Sequence, residues 1–165
     1  MKRQIQKVLT VLEELEIPYE MHEHPPLPTI EIAMEYWGKI DATHCKNIFL
    51  RNHKGNRHYL VIVKHTAQVA IHDLEKRLGQ GKLSFASIKR LQRYLCIEAG
   101  SVSPFGLIND TENHVHVFLD ENLKSAGKIS FHPNLNTASV VIRFDDFIKY
   151  MNWTGNSYQF IGLYD

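Results

Sequence analysis

Cysteine is scarce in this chain. Its 165 residues contain two, Cys45 and Cys96, far apart and without a C-x-x-C spacing. No disulfide framework can be built from them, and a reducing compartment is the expectation. Long apolar runs are also missing: nothing approaches the ~20 residues that a membrane helix needs. The N-terminal MKRQIQKVLTVLEELEI is too charged for the apolar core of a signal peptide. Together these absences predict a soluble, cytoplasmic protein with no membrane partner. An excess of one charge is lacking too, since the formal net charge is +1; the bulk balance neither demands nor forbids nucleic acid. Repeats, low-complexity tracts and linkers are absent, so residues 1–165 read as one domain.

What is present is an ordinary globular composition, 44% hydrophobic and 22% charged. Ile5, Val8, Leu9, Leu12 and Leu15 recur at helical spacing, with Pro18 ending the segment. Thr29 stands as the N-cap of a second helix, IEIAMEYWG. CKNIFLR and HYLVIVK, separated by NHKGN, predict a hairpin with Gly55 at its turn. IHDLEKRLG and SIKRLQRYL read as short helices, the first ended by Gly79 and the second capped by Ser87. HVHVFLD, KISFHPN and ASVVIRF read as strands, and Asp145 or Asp146 opens a final helix. The expected fold is α+β, a central, mostly antiparallel or mixed sheet flanked by helices. For the aromatic tail WTGNSYQFIGLYD, packing on the sheet and an outside contact remain open.

Candidate chemistry is dispersed. His114 and His116 alternate on an expected strand and could pinch a metal, yet no third ligand accompanies them and H-E-x-x-H is absent, so no metal is expected. G-x-S-x-G is absent as well, which leaves Ser101 and Ser103 as loop serines able to bind their own backbone or to act as nucleophiles. Lys46 opens a β run, where a lysine either snorkels at the sheet edge or aims into a cleft. His132, in SFHPNLNT, is either a hydrogen-bonded turn residue or a catalyst. The loop AGSVSPFGLIND joins small residues and a proline to an apolar tail, Phe105 to Ile108, which anchors it to the core.

In order, PPLPTIEIA, CKNIFLRNHKGNRHYLVIVK, KLSFAS, GSVSPFGLIND and FHPNLNT resemble the YbaK/prolyl-tRNA-synthetase-associated domain family, over nearly the whole chain. Within it they are most similar to freestanding proteins that deacylate alanyl-tRNA(Pro). The resemblance implies a YbaK-like fold, hydrolysis of a wrong aminoacyl ester at the tRNA 3′-end, and no cofactor. It implies that Lys46 holds a phosphate or ribose of the terminal adenosine, with Asn47 beside it. It further implies that backbone groups of the G-x-x-x-P loop, with Gly100, Ser101 and Pro104, position the scissile carbonyl and the attacking water, and that His132, which matches the histidine of the family's FHP segment, is catalytic. By the same resemblance Thr29 is expected near the amino-acid pocket. Ile30, Val102 and Phe105 are candidates for a compact apolar lining, and Ser103 and Asn134 for further substrate contacts. The implied partner is the acceptor end of mischarged tRNA(Pro), with prolyl-tRNA synthetase a second candidate; the basic segments NHKGNRH and LEKRLGQGKLSFASIKRLQR could meet tRNA phosphates. Oligomeric state is left undecided. The rivals are a cysteinyl- or seryl-tRNA deacylase of the same family and a non-catalytic module that binds tRNA or a synthetase.

Overall fold

A computed structural model describes residues 2–26, 35, 38 and 40–164. The amphipathic stripe near the N-terminus becomes α1 (Lys2–Glu14), which buries Val8, Val11 and Leu12. After it come β1 (Glu20–Glu23), β2 (Thr43–Asn52) and β3 (His58–Lys64). Next are α2 (Ile71–Leu78), β4 (Leu83–Phe85) and α3 (Ile88–Leu95). A 3₁₀ turn (Pro104–Asn109), β5 (His116–Asp120), β6 (Lys128–Phe131), β7 (Ala138–Arg143), α4 (Phe144–Thr154) and β8 (Tyr158–Ile161) complete the described order. Most of the helix expected after Thr29 lies outside the described residues.

The eight strands form one sheet in the order β1-β7-β6-β2-β3-β5-β8, with β4 paired to β2. It is mixed: β1–β7, β6–β7, β2–β3 and β2–β4 are antiparallel, while β2–β6, β3–β5 and β5–β8 are parallel. This is the mostly antiparallel, mixed sheet expected; its parallel pairs arise because β3, β5 and β8 are joined through helical crossovers. Beside the central β2, β3 lies in the core, where Leu60, Val61, Ile62 and Val63 are fully buried. At about 1.5–3 kcal/mol per buried aliphatic side chain, a register slip on this strand is strongly disfavoured.

Local signals decide the element ends. Gly55 takes a φ of +73° in the β2–β3 turn, and Gly79 closes α2 in the left-handed region. The Ser87 hydroxyl accepts a hydrogen bond from the Arg90 N–H at the start of α3. Two expectations shift. α4 begins at Phe144 behind Arg143, and Asp145 and Asp146 occupy its first turn, where carboxylates favour the helix dipole without capping it. The aromatic tail forms β8, paired to β5, so it completes the sheet. Among the described residues no helix is long and apolar enough to cross a membrane.

Candidate active site

β2 and β6 run parallel but pair only at Thr43–Ile129 and His44–Ser130. Beyond that point the strands separate, and a small pocket opens between them. Its walls are His44, Cys45 and Asn47 from β2, Ser130 and Phe131 from β6, and His132 and Ser139 beyond it. The split lies at the C-terminal end of β6 and the beginning of β2, where polar groups of both strands face a gap that their pairing does not fill.

His132 has a defined protonation. Its Nδ1 lies 2.8 Å from the Ala138 carbonyl oxygen. A carbonyl only accepts, so Nδ1 carries the hydrogen, and the neutral ring presents an Nε2 that has no hydrogen-bond partner among the described residues. Burial pushes its pKa below the ordinary value; the Ala138 bond opposes that shift and nearby His24 reinforces it. The imidazole is therefore neutral at neutral pH, the form in which it can take a proton. His24, 5.9 Å away ring to ring, is held in place by two bonds: Nδ1 donates to the Pro25 carbonyl and Nε2 bonds the Ser139 hydroxyl, both at 2.9 Å. Neither His24 nor Ser139 carries a recognisable local motif; only the β1–β7 pairing brings them to the site.

The glycine-proline loop is fixed from three sides. Gly100 has a φ of +87°, which other residues adopt at a cost, and a Cβ there would lie 3.8 Å from Asn136 Nδ2. Ser103 accepts from the Phe105 N–H through its side chain and from the Gly106 N–H through its carbonyl. Pro104 is buried, and its carbonyl accepts from the Tyr150 hydroxyl at 2.8 Å. The Phe105 ring is fully buried against Phe131 and Tyr150, so it anchors the loop and does not line an open pocket. Gly106 packs so close to α3 that a Cβ would sit 2.4 Å from Ile97 Cδ1. The Ser101 side chain is buried, Val102 is half-buried, and the N–H groups of Val102 and Ser103 donate no hydrogen bond among the described residues.

Asn134 joins this loop to the His132 segment by donating from Nδ2 to the Phe105 carbonyl at 3.3 Å. Its backbone is left-handed, and its buried Oδ1 has no partner among the described residues. The Asn47 Oδ1 at the pocket wall is likewise shielded and unpartnered there. Lys46 is not part of that wall. Its ammonium donates to the Ala67 carbonyl at 2.6 Å, on the sheet face shared by Ile48 and Leu50. Thr29 and Ile30 lie outside the described residues. The fold thus brings together Asn47, His132, Asn134 and the loop from Gly100 to Phe105, with Lys46 one residue from the pocket.

The shared strand face read for His114 and His116 is not formed. His114 precedes β5, and its Nε2 meets His58 Nδ1 at 2.9 Å, whereas His116 Nδ1 bonds Ser157 Oγ at 2.6 Å. The alternation assumed a strand that starts two residues later. Among the described residues no three His, Cys, Asp or Glu side chains gather as a metal would require.

A family model described as the aminoacyl-tRNA editing domain matches residues 24–150. The chain belongs to that family. The matched range runs from His24 to Tyr150 and takes in the whole pocket and loop; α1, β1 and β8 lie outside it. The chain is 42% identical over 162 residues to the prolyl-tRNA editing protein ProX of Acetoanaerobium sticklandii, covering 96% of each chain. It is 34% identical over 146 residues to the prolyl-tRNA synthetase associated domain-containing protein 1 of Mus musculus, covering 86% of each. A crystal structure of a proposed trans-editing enzyme for prolyl tRNA synthetase superposes with a TM-score of 0.70 over 96% of each chain. At 16% identity that likeness concerns the fold, which is YbaK-like.

Proposed function

We propose that this editing domain hydrolyses, in trans, the ester of tRNA(Pro) mischarged with alanine. The observation that carries this reading is the neutral His132, its Nδ1 committed and its Nε2 bare, at a pocket tied through Asn134 to a rigid loop with unused N–H donors. Water attacks the ester carbonyl carbon while Nε2 takes its proton. The N–H groups of Val102 and Ser103 receive the oxyanion, at no cost in reorganisation because the loop is already fixed. Collapse breaks the bond to the ribose oxygen, which leaves with the proton returned by His132. Gly100 and Pro104 set the loop's course, and Ser101 and Ser103 hold its shape.

Asn47 Oδ1 accepts from the substrate's α-ammonium group. Lys46 exchanges its single carbonyl partner for a phosphate of the terminal nucleotide, a stronger acceptor for an ammonium ion. The pocket's narrowness favours a methyl side chain over a proline ring, which supports alanine as the substrate and a second, smaller sieve as the logic. Thr29 and Ile30 complete its lining in this reading. The protein acts in the cytoplasm on the acceptor end of tRNA(Pro), with prolyl-tRNA synthetase as the source of the mischarged substrate.

The test is deacylation of tRNA(Pro) charged separately with alanine, cysteine, serine and proline. Alanine should be released fastest, and Lys46→Ala should slow its release on the order of 10- to 100-fold, the worth of one hydrogen bond to a charged group. Preference for cysteine or serine would move the substrate while keeping the chemistry. Failure to cleave any of the four would leave a binding role.

A further inference from the structure

The near-neutral total charge hides a strong division. Residues 42–97 contain 11 of the 19 Lys and Arg but 2 of the 18 Asp and Glu, a net +9 against −8 for the rest of the chain. Within this stretch Lys54, Arg57, Lys82, Lys89 and Arg93 are exposed and form no ion pair among the described residues. A surface of this kind attracts a polyanion over a distance of about a Debye length.

In its midst are two large apolar side chains that are mostly exposed. Phe85 is 67% exposed and Ile88 66%. An aromatic ring left in water among basic residues has no value to the core. Its position is informative. Along one edge, β2 pairs with β6 at residues 43–44, lines the pocket at 45 and 47, and then meets β4, with Leu50 opposite Phe85. The Ala86 N–H also donates to the Phe49 carbonyl, which fixes this junction. From Lys46 to Leu50, along one face of β2, is four residues, about 13 Å at ~3.3 Å per residue. That equals roughly four stacked nucleotides at ~3.4 Å each. Cross-strand partners share a face, so Phe85 stands on the side of the sheet to which Lys46 points.

We infer that Phe85 is a stacking platform for an unpaired base in the 3′ tail of the RNA substrate, with the surrounding cations holding the adjoining phosphates. This deepens the proposed function and rests on its substrate being an aminoacylated RNA. Single-stranded RNA is commonly gripped this way, since every base has a π face and the backbone offers a charge at each step. Phe85 is a substrate-positioning residue: it fixes the tail so that the ester reaches the pocket, and the neighbouring Ile88 widens the apolar step.

The test compares wild type, Phe85→Ala and Phe85→Trp in two assays. In the first, alanyl-tRNA(Pro) and the minimal ester alanyl-adenosine are hydrolysed in parallel. Phe85→Ala should raise KM for alanyl-tRNA on the order of 10-fold more than for alanyl-adenosine, and Phe85→Trp should restore it. Equal effects on both esters overturn the inference. The second assay uses uncharged RNA, so it is independent of any cleavage. A fluorescent hairpin with a four-nucleotide 3′ overhang should bind Phe85→Ala about 10-fold more weakly than wild type. The same hairpin without the overhang should not distinguish them, and the overhang should quench the Phe85→Trp fluorescence. Binding of the overhang that is absent, or independent of residue 85, overturns the inference; alanyl-tRNA cleavage that persists in that case leaves the proposed function standing.

Discussion

Two histidine clusters sit at different places on the same sheet, and they have opposite fates. At the β2–β6 split, His132 commits Nδ1 to a carbonyl and leaves Nε2 bare at a pocket. Beside the β2–β3 turn, His58 uses both nitrogens. Arg90 Nη1 can only donate, so at 3.1 Å it makes His58 Nε2 an acceptor. The hydrogen on His58 must then be on Nδ1, donated over 2.9 Å to His114 Nε2. The ring is 1% exposed, packed 4.2 Å from Tyr94 and 5.6 Å from Phe49, centroid to centroid. Both histidines are held neutral by burial. What separates a reactive imidazole from a structural one is whether the second nitrogen has a partner.

The sharpest way to break this contrast is His132→Asn. An asparagine amide can still donate to the Ala138 carbonyl, as Nδ1 does, but it offers nothing at the position of Nε2. Deacylation of alanyl-tRNA(Pro) should fall by about 10² to 10⁴, the range for a lost general base. The thermal midpoint should stay within a few degrees of wild type. A variant with near-normal kcat would remove His132 from the proton transfer.

The complementary substitution is His58→Ala. It empties a ring-sized space among Phe49, Tyr94 and His114 and takes away the donor to His114 Nε2. The expected loss is about 2–4 kcal/mol in denaturant unfolding. Hydrolysis of alanyl-adenosine by the folded fraction should be unaffected, since His58 lies away from the pocket. A loss of turnover with unchanged stability would invert the assignment.

The sequence makes only part of this contrast legible, and the reason is distance along the chain. Gly55, Gly79 and Ser87 announce their turn and caps because those signals are satisfied within four residues. Lys46, Gly100, Pro104 and His132 stand out through the ordered segments around them. The pocket itself is assembled from residues 44, 45, 47, 130–132 and 139, and depends on where two parallel strands part. No local pattern encodes that divergence. His114 shows the opposite failure: alternation with His116 pointed to one shared face, but the strand starts at His116 and His114 turns to His58. Phe105 was readable as an anchor from its apolar neighbours. That its ring is wholly inside, leaving only its carbonyl to face Asn134, follows from tertiary packing.

Acid should separate the clusters again, in different observables. Burial, His114 and three arginines push His58 from 6.5 to about 4. Below pH 6.5 the unfolded chain takes up a proton that the folded chain refuses. The His58 contribution to stability is therefore complete above that pH and is lost as pH falls toward 4. The limiting slope for one such group is about 1.4 kcal/mol per pH unit, and His58→Ala should flatten the stability profile in this window. His132, also lowered, adds to stability with the same sign, but its main signature is kinetic. Turnover should persist below pH 6.5 and fall only as the depressed His132 pKa is approached. An acid limb that His58→Ala shifts would mean that the two clusters are coupled.

The smallest expected effect sharpens the contrast most directly. Arg90→Ala frees His58 Nε2 and leaves the Gly55 carbonyl without its 2.8 Å donor. The stability loss should be modest, about 1 kcal/mol, since both acceptors lie near the surface turn. Removing a cation and a bond to the neutral ring should raise the His58 pKa from about 4, while burial and His114 keep it below 6.5. An NMR titration of the His58 ring protons reads this without reference to activity. A midpoint that rises shows that Arg90 holds the closed state; one that stays in place shows that packing alone does. In either case an open nitrogen at this end lacks what His132 has, a rigid loop carrying unused N–H donors, tied through Asn134 to its own segment.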